Sequence, residues 1–198
     1  MVEGDGPDVL VLAHGAGTDQ HHRMISGIRA AVARRAVRVV TFNYPYTEAG
    51  RRRPDRPATL LECHAAVADA VSERFGGSLF LGGRSMGGRI ATMLAAGGYP
   101  VRGIVAYAYP LHPAGKPERL RIDHLPAVGA PMLFFQGSRD SLSRTDLFDR
   151  HVRSLDGVEV VDMEGADHSF RGWKEPELYE FLADQTAEWI GRHGQQVS

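Results

Sequence analysis

Runs of residues that are apolar at nearly every position recur six times along the chain, and they alternate with longer stretches of helical periodicity. The apolar runs cover residues 9–13, 37–42, 78–81, 101–108, 131–136 and 158–163. The helical stretches cover about residues 21–35, 58–75, 86–97, 144–155 and 175–193. A strand that is apolar at every position is buried on both faces, which is typical of a parallel sheet.

This alternation predicts the fold class. Strands separated by helices of this length form βαβ units, and right-handed crossovers place helices on both faces of the sheet. We therefore expect a doubly wound α/β fold with a mostly parallel six-stranded sheet. The proline-rich segment 110–128 has no full helical pattern, and no stretch is long enough for a cap domain. A chain of 198 residues fits a single domain over residues 1–198.

The charge balance and the cysteine count exclude several classes of protein. The formal net charge is -1, so electrostatics give no reason to expect nucleic acid or a membrane as the main partner. Cys63 is the only cysteine, which rules out an intramolecular disulfide and a multi-cysteine metal site. No signal-peptide pattern and no apolar run of membrane-spanning length is present. We expect a soluble, cytoplasmic protein.

A glycine-rich turn, residues 82–88, follows the third apolar run and precedes a helical pattern. It contains Gly83-Arg84-Ser85-Met86-Gly87, which has the form Gly-x-Ser-x-Gly. Between a strand and a helix this pattern raises a serine hydroxyl above the end of the sheet, and the flanking glycines let strand and helix approach closely. It predicts Ser85 as a nucleophile. A turn used for packing or for phosphate binding is the alternative, although neither the dinucleotide-binding fingerprint nor a P-loop is present.

A serine hydroxyl needs a base, and two further turns supply candidates for the base and its acid. Asp140 follows the fifth apolar run and His168 follows the sixth, which is the chain order Ser, Asp, His expected for this turn. We predict His168 as general base and then general acid, and Asp140 as the carboxylate that fixes its tautomer. Asp167 and Asp146 are the alternative acids. Asp167 is close to His168 in the chain, and Asp146 suits the first turn of a helix.

The oxyanion hole of such a site combines two backbone N–H groups. One belongs to Met86, directly after the nucleophile. The other lies in the loop after the first strand, which reads His14-Gly15-Ala16-Gly17, and Ala16 is our candidate because glycines flank it. We interpret His14 as a structural histidine of that loop.

Over nearly its whole length the chain resembles the α/β-hydrolase superfamily, and more narrowly a small dienelactone-hydrolase-like group that includes the testis-expressed hydrolase-like proteins. The segments that carry the resemblance are residues 13–17, 82–89, 109–113, 115–118, 136–140 and 165–170. The resemblance implies a minimal α/β-hydrolase core without a lid and hydrolysis of an ester-like bond. Dienelactone hydrolases proper use a cysteine nucleophile, whereas position 85 is serine, so lactone specificity does not carry over.

Other residues after the strands are weaker candidates. His112, Tyr109 and Gly15 are predicted to line the substrate site, with a stiff structural loop at 109–113 as the alternative. The arginine run 51–53 is a candidate for attracting an anionic substrate, with a solvated loop as the alternative. The pair 21–22 is a poor metal site because adjacent histidines rarely face one ion.

These residues together predict a serine hydrolase that forms an acyl-enzyme on a small ester-like substrate, with no cofactor and no metal. Thioesterase, amidase or peptidase action with the same residues is one alternative. A catalytically silent interaction module on the same fold is the other.

Overall fold

A computed structural model describes residues 1–194 and contains a seven-stranded sheet in the order β1-β3-β2-β4-β5-β6-β7. The strands are β1 (Val2–Glu3), β2 (Asp8–Ala13), β3 (Val37–Phe42), β4 (Leu79–Arg84), β5 (Gly103–Tyr107), β6 (Met132–Gly137) and β7 (Val158–Met163). Strands β2 to β7 are parallel, as the apolar runs predict, and β1 pairs antiparallel with β3. The predicted count of six strands is therefore corrected to seven by this short edge strand.

The order of the strands determines where a ligand can bind. Strand β3 lies on one side of β2 and β4 lies on the other, so the connection that leaves β2 toward β3 and the connection that leaves β4 toward β5 run in opposite directions along the sheet. In open parallel sheets such a reversal opens a crevice beyond the carboxyl ends of the strands. The loops after β2 and β4 border that crevice, and they are the loops in which the sequence predicts the oxyanion hole and the nucleophile.

Helices cover both faces of the sheet. They are α1 (Arg23–Ala33), α2 (Pro45–Glu48), α3 (Pro57–Phe75), α4 (Met86–Ala96), α5 (Thr145–Phe148) and α6 (Glu177–Gly194). Helices α1 and α6 bury their apolar residues against one face, and α3, α4 and α5 bury theirs against the other. Because both faces are covered, β4, β5 and β6 are buried almost throughout.

The helix boundaries differ from the sequence pattern in identifiable ways. The helix predicted from residue 21 begins at Arg23, because His22 precedes it and its ring nitrogen Nδ1 accepts a hydrogen bond from the N–H of Met24. The helix predicted over 144–155 is divided into α5 and a π-helical turn, Asp149–Arg153. As expected, segment 110–128 contains only a short 3₁₀ helix, Leu125–Ala127. Within residues 1–194 no helix is both long enough and apolar enough to cross a membrane.

Candidate active site

Ser85 occupies the sharp turn between β4 and α4. Its backbone has φ 51° and ψ -113°, a positive φ that residues with a Cβ rarely adopt. Its N–H donates to the carbonyl oxygen of Tyr107 on β5 at 2.9 Å, which holds the turn against the sheet. The side chain is half-buried, so the hydroxyl is reachable from the crevice. A strained backbone that neighbouring contacts maintain is characteristic of functional positions.

The glycines around Ser85 are required by close backbone contacts. A Cβ atom on Gly83 would lie 2.6 Å from the backbone nitrogen of Gly88 in the first turn of α4. A Cβ on Gly87 would lie 2.5 Å from the carbonyl oxygen of Ala13 at the end of β2. Real Cβ atoms do not approach backbone this closely, so α4 can begin directly above β2 and β4 only if both positions are glycine.

A continuous chain of hydrogen bonds joins Ser85, His168 and Asp140. The distance from Ser85 Oγ to His168 Nε2 is 2.9 Å, and His168 Nδ1 lies 2.7 Å from Asp140 Oδ2. The Asp140 side chain is fully buried, whereas that of His168 is 18% exposed at the crevice. The second carboxylate oxygen, Oδ1, accepts a hydrogen bond from the N–H of Leu142 at 2.8 Å. Asp140 is therefore fixed from both sides, and the imidazole faces the serine.

Neither alternative acid forms a hydrogen bond from its carboxylate to the His168 ring. Asp167 accepts hydrogen bonds on Oδ1 from the N–H groups of Ser169 and Arg171, and its Oδ2 accepts one from the Arg171 side chain. It therefore closes the turn that carries His168. Asp146 lies in the first turn of α5, is exposed and pairs with Arg144. Hydrogen bonds from Arg144 hold the pKa of the Asp146 carboxyl below its ordinary value.

The loop after β2 is held by the buried imidazole of His14. Its Nδ1–H donates to the carbonyl oxygen of Gly15 at 2.9 Å, and its Nε2 accepts from the N–H of Tyr44 at 3.2 Å. Burial lowers the pKa of His14, which favours the neutral ring that these two bonds need. Gly15 packs beside Ser85, since a Cβ on Gly15 would lie 3.7 Å from that of Ser85. Ala16 comes next and is exposed.

Met86 is the first residue of α4, and its N–H has no acceptor one turn earlier in that helix. This N–H directly follows Ser85 in the chain, and Gly15 of the loop held by His14 packs beside the Ser85 side chain.

Two predicted substrate-binding side chains have no polar atom free for a ligand. His112 is 2% exposed; its Nδ1–H donates to Pro113 and its Nε2 accepts from the N–H of Arg144. Tyr109 is fully buried, and its hydroxyl donates to the carbonyl oxygen of Arg121. These polar groups are used within the fold, which favours the alternative of a stiff structural loop at 109–113. The role of His112 and Tyr109 in substrate binding stays a prediction.

The arginine run lies beside the loop after β2. Arg51, Arg52 and Arg53 are exposed, and Arg51 pairs with Asp55 at 2.8 Å. The carbonyl oxygen of Arg52 lies within 3.7 Å of the position that a Cβ on Gly17 would take. The run therefore borders the crevice, as its place after the second strand predicts.

Metal-ligating side chains do not cluster: within residues 1–194 no group of three or more His, Cys, Asp or Glu is arranged to hold an ion. His22 uses a ring nitrogen to cap α1, as described above. Cys63 is half-buried, and burial raises the pKa of its thiol.

The sequence patterns give no role to Arg84, yet this side chain contacts two of the loops at the site. It is 8% exposed, and its Nη2 donates to the carbonyl oxygen of His168 and to Ser169 Oγ, each at 3.1 Å. Gly15 packs against the same guanidinium at Nη1. The only feature of the sequence that could have drawn attention to Arg84 is its charge at the end of an otherwise apolar strand.

A family model described as an alpha/beta hydrolase domain matches residues 7–190. Three solved structures share the fold at low sequence identity. A serine hydrolase without a lid from Xanthomonas campestris is 22% identical, with TM-score 0.77, over 100% of this chain and 89% of that chain. Est1E from Butyrivibrio proteoclasticus, with ferulic acid bound, is 13% identical, with TM-score 0.78, over 98% of this chain and 94% of that chain. A dienelactone hydrolase from Anabaena variabilis is 18% identical, with TM-score 0.77, over 98% of this chain and 89% of that chain.

Proposed function

The chain belongs to the alpha/beta hydrolase domain family, and from this we propose that it is a serine hydrolase of the carboxylesterase type. The observation that carries the proposal is the hydrogen-bond chain from Ser85 Oγ through His168 to Asp140, with distances of 2.9 Å and 2.7 Å. These are the distances at which a base can take a hydroxyl proton and an acid can orient that base. The narrower relationship to the testis-expressed hydrolase-like proteins stays a prediction.

In the proposed reaction Ser85 Oγ attacks the carbonyl carbon of an ester while His168 Nε2 takes its proton. The imidazolium then protonates the leaving alcohol, and Asp140 keeps the proton on Nδ1 and stabilises the positive ring. Water, activated by the same histidine, releases the acid from the acyl-enzyme. Every proton that moves in these steps is transferred by residues of the chain or by water.

The proposed oxyanion hole consists of the N–H groups of Met86 and Ala16. A donor at the first position of a helix also benefits from the partial positive charge of the helix N-terminus. Fixed donors of this kind stabilise the tetrahedral intermediate, and the loss of one costs about 10²–10³ in kcat.

Small, accessible esters are the proposed substrates. Ser85 and His168 are both partly exposed, and within residues 1–194 no connection between strands forms a separate cap over them. The open crevice is in keeping with the lidless relative, and Est1E binds ferulic acid, a small aromatic carboxylic acid. Gly15, which packs beside Ser85, is the predicted substrate-binding position that we include in this proposal.

A fluorophosphonate probe tests the proposal. The wild-type protein should be labelled, and Ser85→Ala should not, because the probe requires an activated serine. Ser138→Ala is the matched control: its hydroxyl lies at the same sheet edge but bonds to Glu164 and to the N–H of Gly165, so labelling should persist. Turnover of p-nitrophenyl esters should fall by about 10⁴-fold or more in Ser85→Ala.

The same assay distinguishes the alternatives. Esters of increasing acyl length, with matched thioesters and anilides, measure leaving-group preference, and faster thioester or anilide cleavage would favour a thioesterase or an amidase. A folded wild-type protein that is neither labelled nor active on any of these compounds would contradict the hydrolase proposal and favour an interaction module.

A further inference from the structure

Arg84 is a buried cation directly beside the nucleophile. It is the last residue of β4, and it follows Phe80 and Gly82 on the face of the sheet that α1 and α6 cover. With 8% exposure its guanidinium has little contact with water. Burial lowers its pKa, and the nearby carboxylates Asp140 and Asp167 act in the opposite direction. A buried guanidinium is costly unless its N–H groups are hydrogen-bonded, so the contacts of Arg84 indicate what this side chain does in the fold.

The contacts of Arg84 join three parts of the site. Its backbone leads directly into Ser85. Its Nη2 donates to the carbonyl oxygen of His168 and to Ser169 Oγ, each at 3.1 Å. A Cβ on Gly15 would lie 3.1 Å from Nη1, so the guanidinium also packs against the loop that carries Ala16. One side chain therefore relates the positions of the nucleophile, the histidine and the proposed oxyanion loop.

A substrate-binding role for Arg84 is less well supported. A cavity of about 390 Å³ borders it, between the start of α1 and residues 169–171. The other arginines there are Arg23 and Arg171, and each already pairs with a carboxylate, from Glu175 and Asp167. Nη2, in turn, is engaged by the histidine loop. The cavity therefore has no strong excess of positive charge for an anionic ligand.

We propose that Arg84 is a positioning residue that holds the backbone of His168, so that the imidazole stays within hydrogen-bond distance of both Ser85 and Asp140. The kinetic part of this proposal rests on the proposed function. The structural part, the position and tautomer of the His168 ring, does not, so the two can be tested separately.

The kinetic test compares Arg84→Met with Arg29→Met. Arg29 is also 8% exposed, but its guanidinium bonds to Glu3 and Thr41, away from the Ser85 turn. Rates on p-nitrophenyl acetate are normalised to the serine titrated by the fluorophosphonate probe, which removes the contribution of misfolded protein. Because a displacement of about 1 Å costs up to about 10²-fold in rate, Arg84→Met should lower kcat by about 10- to 100-fold with KM nearly unchanged. Arg29→Met should leave both constants near their wild-type values.

Arg84→Lys provides a second comparison. An ammonium group retains the positive charge and one hydrogen bond to the His168 carbonyl, but it lacks the planar fork that reaches Ser169 as well. Its kcat should lie between those of the wild-type protein and Arg84→Met. A rise in KM without a fall in kcat would instead identify Arg84 as a substrate ligand and overturn the positioning role.

Ring ¹⁵N spectroscopy of His168 tests the structural part without turnover. The signals are assigned by their loss in His168→Gln. In the wild-type protein and in Arg29→Met they should report a single tautomer with the proton on Nδ1, and in Arg84→Met they should shift toward a mixture. If wild type shows the single tautomer but neither labelling nor turnover, the hydrolase proposal fails while this comparison still decides the role of Arg84. Unchanged ring signals in Arg84→Met would overturn the proposal.

Discussion

Asp140 and Asp167 are chemically identical side chains at the same edge of the sheet, yet their carboxylates make different contacts. Asp140 is fully buried and directs one oxygen at His168 and the other at the N–H of Leu142. Asp167 directs both oxygens back into its own turn, toward Ser169 and Arg171. A carboxylate can orient a histidine only if an oxygen is free to face Nδ1, and only Asp140 of this pair meets that condition.

We expect Asp140→Asn to lower kcat/KM on p-nitrophenyl acetate by about 10³- to 10⁴-fold. The amide can direct its N–H₂ group at the ring, which favours protonation on Nε2 and leaves no acceptor for the Ser85 hydroxyl. Asp167→Asn should have a much smaller effect, because it weakens a turn without touching the imidazole. Steady-state kinetics of the two variants, with folding checked by circular dichroism, measure the difference. Equal losses in both variants would contradict the assignment of Asp140.

The sequence predicts which side chains lie at the site better than it predicts which of their polar atoms are already hydrogen-bonded within the fold. Ser85, Asp140 and His168 were recognisable because each follows a strand and because their chain order matches a known arrangement. His112 also follows a strand, but its ring nitrogens bond to Pro113 and to Arg144, a residue 32 positions away. Such partners depend on how distant loops meet, and no local pattern specifies them. The contacts of Arg84 with residues 168–169 were invisible for the same reason.

Among the secondary-structure elements, the start of α4 is the position at which close backbone packing and the proposed nucleophile depend on neighbouring residues. Gly87 lies against the carbonyl oxygens of Ala13 and His14 at the end of β2, with no room for a Cβ. This close approach brings the first turn of α4 against the end of β2. The same contact therefore supports the fold and fixes the position of the turn that carries Ser85.

Gly87→Ala should destabilise the protein by about 1–3 kcal/mol, since the new methyl group would have to displace backbone. Gly191→Ala is the matched control. Gly191 lies inside α6 with no atom within 4 Å of the position of a Cβ. Alanine there should raise the free energy of unfolding by about 0.5–1 kcal/mol, because helix propensity improves without a clash. Urea unfolding followed by circular dichroism measures both changes; a Gly87→Ala protein as stable as wild type would refute this account of the turn.

Elements with long periodic signals were predictable, and short ones were not. The six parallel strands and the long helices α3, α4 and α6 coincide with apolar runs and helical patterns. The edge strand β1 has two residues, too few for any periodicity, and it forms only because β3 offers an unpaired edge. The hydrophobic pattern likewise does not predict that the helix after residue 144 is divided into α5 and a π-helical turn.

The stability of the whole molecule should depend on pH through four histidines whose pKa is lowered by burial. Burial lowers the pKa of His14 and of His22, lowers that of His64 to about 3 and lowers that of His124 to about 4. His64 is fully buried, its Nδ1 lies 3.2 Å from the hydroxyl of Tyr44, and its Nε2 has no partner within the described residues. A proton on this ring would place an unpaired charge in the core, which the fold strongly disfavours.

The direction of the pH dependence follows from the difference between the histidine pKa in the folded chain and in the unfolded chain. His64 has a pKa of about 3 when folded and an ordinary value of 6.5 when unfolded. Between these two values the unfolded chain binds more protons than the folded one, so the free energy of unfolding falls as the pH is lowered. Each histidine of this kind contributes up to about 1.4 kcal/mol per pH unit in that interval.

We therefore expect the wild-type protein to lose stability steeply between about pH 6 and pH 4. His64→Asn removes the titrating ring but keeps an acceptor for the Tyr44 hydroxyl, so it should reduce the slope by about one proton while His14, His22 and His124 maintain the remainder. His21→Asn, which replaces an exposed histidine, should leave the slope unchanged. Urea unfolding at a series of pH values gives the proton uptake directly. The same slope in His64→Asn as in wild type would mean that His64 is already protonated in the folded protein, which its complete burial beside Tyr44 and Phe42 argues against.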